Sequence, residues 1–136
     1  MRKVGTTIAA AVITGLSVVA VPATASASSA SPASSVASCR YGTQRITGAE
    51  MDWTICVDSS GTGVSYFASD TAKDGRRAEV WLRSPATSSS GVKINEATGG
   101  VGDWAEGEWY GFYQSGVSLR LCTSDANTDR RCGSWL

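Results

Sequence analysis

Hydrophobic and polar residues alternate with a period of two along much of the chain after residue 50. The clearest run places apolar side chains at every second position, namely Met51, Trp53, Ile55 and Val57. Successive side chains of a strand point to opposite faces, so this pattern is typical of a β-strand that is buried on one side.

Similar runs predict further strands near residues 64–68, 78–83, 92–94, 104–114, 117–122 and 131–136. Turn-forming segments separate them, and Asp74-Gly75 has the sequence of a hairpin turn. After residue 27, no stretch of a dozen residues shows the apolar spacing of a helix. The chain is therefore predicted to be all-β, a small antiparallel β-sandwich of about seven to eight strands. A small barrel is the alternative, because periodicity does not distinguish open sheets from a closed one.

Residues 1–27 have the layout of a secretory signal peptide. Arg2 and Lys3 precede an uncharged stretch, and Ala25-Ser26-Ala27 offers a cleavage pattern of small residues. We expect cleavage after Ala27, with Ala25 as the alternative. A membrane anchor is the weaker interpretation, because Gly, Ser and Thr dilute the apolar stretch and no basic cluster follows it. The mature protein is expected to be secreted, extracellular and free of the membrane.

Residues 28–38 are almost entirely Ser and Ala, and such a segment lacks the apolar surface needed to order itself. It is predicted to be a flexible tail that acts as a linker or, alternatively, as a strand added to a partner's sheet edge. The folded domain is expected to span residues 39–136.

Charge argues against nucleic acid as a partner. Without Arg2 and Lys3, ten basic residues stand against twelve acidic ones, a net formal charge of −2. Binding to phosphates needs a basic face, so a nucleic-acid partner is not expected.

The four cysteines all follow the signal peptide, so two disulfides are expected in an oxidising compartment. Three pairings are possible in principle. Sequence proximity and the hairpin patterns favour Cys39–Cys56 and Cys122–Cys132. A zinc site is a poor alternative, since closely paired cysteines and histidine are absent from the sequence.

The residue types argue against catalysis, and we expect neither an enzyme nor a cofactor. The sequence contains no histidine, which excludes Ser-His and Cys-His mechanisms. Asp103, Glu106 and Glu108 lie among aromatic residues, so glycoside hydrolysis is the remaining enzymatic alternative.

One loop has the spacing of a calcium ligand set. Asp125, Asn127 and Asp129 alternate as in an EF-hand loop, but Arg130 replaces the glycine that such a loop needs. A turn closed by a disulfide is the preferred interpretation, and no metal site is predicted.

Aromatic side chains are the preferred candidates for a binding surface, because Tyr and Trp bury large areas at low entropic cost. The candidates are Trp81, Trp104, Trp109, Tyr110 and Tyr113. Alternation places Trp109 and Tyr113 on one face and Tyr110 and Phe112 on the other, so only one of these sets can lie in the core.

The leader ending in AVPATASA, the Ser/Ala-rich tail and the closing segment LCTSDANTDRRCGSW resemble the small, two-disulfide secreted proteins of Streptomyces-like actinobacteria. In size, signal and cystine layout the chain is similar to the adaptor subunit of umbrella-type antibacterial toxin particles, which links a lectin subunit to the toxin stalk. This resemblance implies a role in an extracellular complex.

Together these features predict a secreted, non-catalytic module that binds another secreted protein. A carbohydrate-binding domain that presents Trp104, Trp109 or Tyr113 to a glycan is one alternative. A secreted hydrolase inhibitor with an exposed loop at residues 84–91 is another, although the Trp-Arg-Tyr turn of the amylase inhibitors is absent from the sequence.

Overall fold

A computed structural model describes residues 37–136, which form eight antiparallel strands and no helix. The predicted signal peptide and most of the predicted tail lie outside these residues. The first strand begins at Ser38, one residue before the predicted start of the domain. None of the described residues belongs to a helix that could span a membrane.

The strands form two sheets of four. The first sheet has the order β1-β2-β3-β6, with β1 at Ser38–Ile46, β2 at Ala49–Val57, β3 at Thr62–Asp70 and β6 at Trp104–Gly111. The second has the order β5-β4-β7-β8, with β4 at Arg77–Arg83, β5 at Val92–Ala97, β7 at Ser118–Asp125 and β8 at Thr128–Cys132. The prediction of an all-β sandwich is confirmed.

The core lies between the sheets and is built from alternate residues of the strands, as the period-two pattern predicts. Its buried apolar members are Ala49, Met51, Ile55, Val64, Tyr66, Ala68, Ala78, Val80, Leu82, Ala97, Ala105, Val117, Leu119 and Leu121. The residues between them face outward, so each sheet presents one face to its surroundings.

Both predicted disulfides are present, and each joins residues directly opposite each other on neighbouring strands. Cys39–Cys56 connects β1 to β2, and Cys122–Cys132 connects β7 to β8. β1 and β8 are the edge strands of their sheets, so each bridge fixes an edge strand to its inner neighbour.

Two local predictions were wrong. The Asp74-Gly75 turn does not close a hairpin, because β3 already pairs with β2 and β6 and the chain crosses to the second sheet before β4. The last strand is Thr128–Cys132 rather than residues 131–136, because Ala126 and Asn127 form a two-residue turn with positive φ angles.

Polar side chains bridge the two sheets at both sides. On one side the Gln44 amide donates to the Ser134 carbonyl oxygen at 2.7 Å and accepts from the Leu121 N–H at 2.6 Å. On the other, the Asn95 amide donates to the Glu106 carbonyl oxygen at 2.9 Å. These bonds link the first sheet to the second sheet and its C-terminal segment on both sides of the core.

The turn between β2 and β3 depends on a glycine. Gly61 has a φ of +150°, and a β-carbon there would lie 2.2 Å from the Gly111 carbonyl oxygen and 2.9 Å from the Phe112 α-carbon. The close approach of these two backbones therefore requires the absence of a side chain.

We expect Gly61→Ala to lower the free energy of unfolding by about 3 kcal/mol, measured by urea denaturation, because it adds a backbone clash to an unfavourable φ. Gly75→Ala is the matched control. Gly75 also has a positive φ, of +73°, but has open space around it, so only about 1 kcal/mol should be lost. Equal losses in the two variants would contradict the steric argument.

Candidate functional site

Exposed aromatic rings gather on the outer side of the first sheet. They are Tyr41, Phe67, Trp104, Tyr110 and Phe112, with exposed fractions of 79%, 44%, 56%, 51% and 86%. We call the outer side of this sheet, with these five rings, the aromatic face. Alternation explains their orientation, since their neighbours along the strands point into the core.

Two of the ring pairs are in contact. Phe67 on β3 and Trp104 on β6 stack with their centroids 6.5 Å apart, and Tyr110 meets Phe112 edge to face at 5.6 Å. Tyr41 lies on the edge strand β1, opposite Thr54. The rings therefore surround the middle of the sheet.

Small polar residues form the floor between the rings. Thr54 and Ser65 have short hydroxyl side chains and Gly63 has none, and three adjoining shallow depressions of the surface all border Ser65. The aromatic face is therefore a shallow trough with aromatic borders and hydroxyl groups at its centre.

The aromatic face is acidic. Asp52 and Glu106 lie on either side of Phe67 in the neighbouring strands, and Glu108 lies opposite Ser65. Glu106 and Glu108 form no ion pair with any of the described residues, whereas Glu50 is paired with Arg45 at 2.7 Å. Glu106 and Glu108 are therefore uncompensated by cations among the described residues, whereas Asp52 lies near Arg45 and accepts a hydrogen bond from the Thr43 hydroxyl at 2.6 Å.

The structure separates the five predicted aromatic residues. Trp104 and Tyr110 lie on the aromatic face. Trp109 and Tyr113 are partly buried and pack against the core, which agrees with their alternation against Tyr110. Trp81 lies on the outer face of the other sheet, where its indole N–H donates to Glu79 at 2.8 Å.

Sequence reasoning missed Tyr41, Phe67 and Phe112 as site residues. The strand β1 has a polar, weakly alternating sequence, and Phe67 occupies the outward position of a strand whose core positions were recognised. Its alternation against Tyr66 and Ala68 is the signal that would have identified it.

The predicted carboxylate cluster is divided. Glu106 and Glu108 point outward from β6 on an open sheet face, whereas Asp103 accepts a hydrogen bond from the Gly99 N–H at 2.6 Å in the preceding turn. Glycosidases place two carboxylates on either side of a bound sugar in a cleft. Glu106 and Glu108 instead lie two residues apart on the same strand.

The loop with calcium-like spacing is a hairpin turn whose polar groups bind side chains. The Asn127 side-chain oxygen accepts from Lys93, and the Asp129 carboxylate pairs with Arg76 and Arg131 at 2.9 Å each. Hydrogen bonds from Arg76, together with the charge of Arg131, lower the pKa of Asp129. Within residues 37–136 no group of three acidic or cysteine side chains is arranged to hold a metal ion.

The outer face of the second sheet contains a fully buried carboxylate, that of Glu79. Arg130 donates to it at 2.7 Å, and the Ser124 hydroxyl and the Trp81 indole donate as well. Burial acts to raise the pKa of Glu79, but these hydrogen bonds and the charge of Arg130 outweigh it, so the pKa is lowered. The carboxylate therefore stays ionised and orients the side chains around it.

Comparison with protein families, with characterised proteins and with solved structures found no match to this chain.

Proposed function

We propose that the protein is an extracellular, non-catalytic interaction module that binds another secreted protein through the aromatic face, as an adaptor does within a larger complex. The observation that supports this proposal is the gathering of five exposed aromatic rings on one sheet face. Two disulfides are compatible with an extracellular location, since such bonds persist in oxidising compartments.

The residue types on the aromatic face support a protein partner. Tyr and Trp are enriched among the residues that dominate binding energy at protein interfaces, and they lose little conformational entropy when they are immobilised. Trp104 and Tyr110 are each about half exposed, so a partner would remove substantial apolar area from water.

The charge of the face indicates the chemistry of the partner. Asp52, Glu106 and Glu108 lie beside the trough, and the two glutamates have no ion pair among the described residues. Complementary potentials guide association and select against wrong partners. We therefore expect the bound surface of the partner to be basic, with apolar side chains that meet the rings.

A carbohydrate chain is the second candidate, and the floor of the trough is the observation that favours it. Thr54 and Ser65 place hydroxyl groups between aromatic borders. Polar groups of this kind, flanked by rings, are suited to a ligand that is itself rich in hydroxyl groups.

The test is affinity purification of the full mature protein with a partner from the culture supernatant of its own host. Trp104→Ser combined with Tyr110→Ser should reduce recovery of a discrete partner protein at least about tenfold, because hot-spot residues cost about 2 kcal/mol or more each when truncated. Val92→Ser combined with Val101→Ser is the matched control, since these residues are 43% and 56% exposed and lie outside the aromatic face.

Thermal unfolding of both double variants should stay close to that of the wild type, since exposed positions contribute little to stability. Equal recovery of the partner with the aromatic variant and the control would overturn the assignment of the face. A carbohydrate would be identified as the ligand if no protein partner were recovered and the protein bound to a glycan array. That binding should quench tryptophan fluorescence and be lost in the aromatic variant.

A further inference from the structure

Arginine and tryptophan side chains alternate in a stack on the outer face of the second sheet. In order, the stack contains Arg83, Trp135, Arg120, Trp81 and Arg130. The successive guanidinium-to-ring distances are 4.6, 4.3, 5.7 and 4.3 Å. We call these five residues the arginine–tryptophan ladder. Each contact lies within the range of a cation–π interaction.

The face that carries the ladder is basic, although the mature chain is slightly acidic. Five cationic side chains and two carboxylates point outward from it, a net formal charge of +3, and they are Arg77, Arg83, Lys93, Arg120, Arg130, Glu79 and Glu96. We call this surface the basic face. It lies on the opposite side of the sandwich from the acidic, aromatic face.

The cations of the basic face are unequally compensated. Arg130 and Lys93 contact the Glu79 carboxylate at 2.7 and 3.7 Å, and Arg77 lies 3.6 Å from Glu96. The two carboxylates are thus occupied by these three cations.

Arg83 and Arg120 remain without a carboxylate among the described residues. Arg83 contacts the Trp135 ring. Arg120 donates to the Ser90 carbonyl oxygen at 3.1 Å, while its Nε is buried without a hydrogen-bond partner among the described residues. Burial and the charges of Arg130 and Arg83 lower the pKa of Arg120. An added anion would relieve this repulsion between like charges.

The ladder is held in place by the backbone around it. Trp135 lies against Gly91, where a β-carbon would come within 2.6 Å of the ring. The Leu136 N–H donates to the Leu119 carbonyl oxygen at 2.9 Å, which keeps the last residues beside β7. The guanidinium groups are therefore preorganised, and binding would cost little additional ordering.

We propose that the basic face is a second docking surface, which binds an acidic segment of a partner protein through its carboxylates at Arg83 and Arg120. The Arg83 guanidinium stacks on Trp135 and donates no hydrogen bond to a described residue, so its N–H edge can meet the two oxygens of a carboxylate. Trp and Arg are also among the side chains most enriched at binding hot spots of protein interfaces. With the aromatic face on the opposite side, the domain would connect two partners.

The probe is a synthetic peptide of about a dozen residues with glutamate at alternate positions, titrated into the ¹⁵N-labelled full mature protein and followed by NMR. We expect the indole N–H signals of Trp81 and Trp135 to shift while that of Trp104 does not. Binding should weaken as salt is added, because exposed charges are screened. Trp81 and Trp135 report on the basic face, and Trp104 reports on the aromatic face. A failure of this proposal can therefore be distinguished from a failure of the function proposed for the aromatic face.

Arg83→Gln combined with Arg120→Gln should weaken peptide binding about tenfold or more, since charge-assisted contacts are lost. Arg45→Gln combined with Lys73→Gln removes the same charge away from the basic face and should change affinity by less than about twofold. The thermal midpoint of each variant shows whether it is folded.

Four outcomes would overturn the proposal. They are equal weakening in both double variants, a shift at Trp104 instead of Trp81 and Trp135, tighter binding of dextran sulfate than of the acidic peptide, and salt-sensitive self-association that Arg83→Gln with Arg120→Gln abolishes. The third would identify a sulfated polymer as the ligand, and the fourth a second copy of this chain.

Discussion

Reduction of both disulfides is expected to leave the domain largely unfolded at room temperature. The bridges close segments with sequence separations of 17 and 10 residues. On a chain-entropy estimate each bridge stabilises the fold by about 3 kcal/mol. Together they would supply about 6 kcal/mol, which is comparable to the whole stability of about 5–15 kcal/mol of a domain.

The two bridges should not be equivalent in their structural effects. Cys122 is completely buried, whereas Cys39 is exposed. Loss of Cys122–Cys132 therefore also disturbs packing beside the Glu79 network, since Cys122 lies opposite Glu79 in the sheet. Loss of Cys39–Cys56 releases the edge strand β1 from the aromatic face.

Urea denaturation of the oxidised wild type, of Cys39→Ser with Cys56→Ser, and of Cys122→Ala with Cys132→Ala measures each contribution. Each double variant should lose about 3 kcal/mol, and the reduced wild type should lose its near-UV circular dichroism. The wild type in oxidised form is the control. An unchanged urea midpoint in both variants would show that apolar packing alone holds the strands.

Glu79→Gln is expected to lower the free energy of unfolding at pH 7 by about 2–3 kcal/mol, because hydrogen bonds to a charged group contribute about 1.5–3 kcal/mol each. The carboxylate is fully buried and accepts from Arg130, Ser124 and Trp81. An amide keeps one acceptor oxygen but places an N–H₂ group toward at least one of these donors. Glu106→Gln is the control, since Glu106 is exposed and without an ion pair among the described residues.

The same carboxylate predicts a pH dependence. Since folding lowers the pKa of Glu79, its contribution is fully present above the unfolded-state value of about 4.5 and is lost as the pH falls through the folded-state pKa. The wild type should therefore lose stability below about pH 4.5, whereas Glu79→Gln should decline less steeply. The pKa values of Asp58 and Asp129 are also lowered, so the stability of the variant should still fall with pH, but by less than that of the wild type. Parallel curves for the two proteins from pH 7 to pH 3 would contradict the assignment.

Local patterns predicted most of the sandwich. The alternation of Met51, Ile55 and their neighbours identified the inward face of β2, and the proximity of the cysteines identified both bridges. These features depend on residues close in sequence, where the two-residue period of a strand is sufficient. The predicted hairpin at Asp74-Gly75 was wrong, because strand order depends on contacts between residues that are distant in sequence, and a turn sequence does not specify them.

The candidate site was less accessible to sequence reasoning. Trp104 and Tyr110 were identified. Alternation alone would have placed Phe67 on the outer side of β3, but its contact with Trp104 depends on the pairing of β3 with β6 across more than thirty intervening residues. The sequence identified Trp81 as a binding candidate but not the arginines that contact its ring, because the ladder is formed by β4, β7, β8 and the residues after β8.

The sequence by itself determined the class of fold, the inward face of most strands and the covalent links, because each follows from side-chain alternation and short separations along the chain. The tertiary structure alone decided which outward residues become neighbours. Strand order brought the exposed rings and unpaired carboxylates onto one face and the arginines and indoles onto the other. The physical reason is that outward positions have no burial requirement to limit their residue types. The contacts that these side chains form therefore depend on which strands lie side by side.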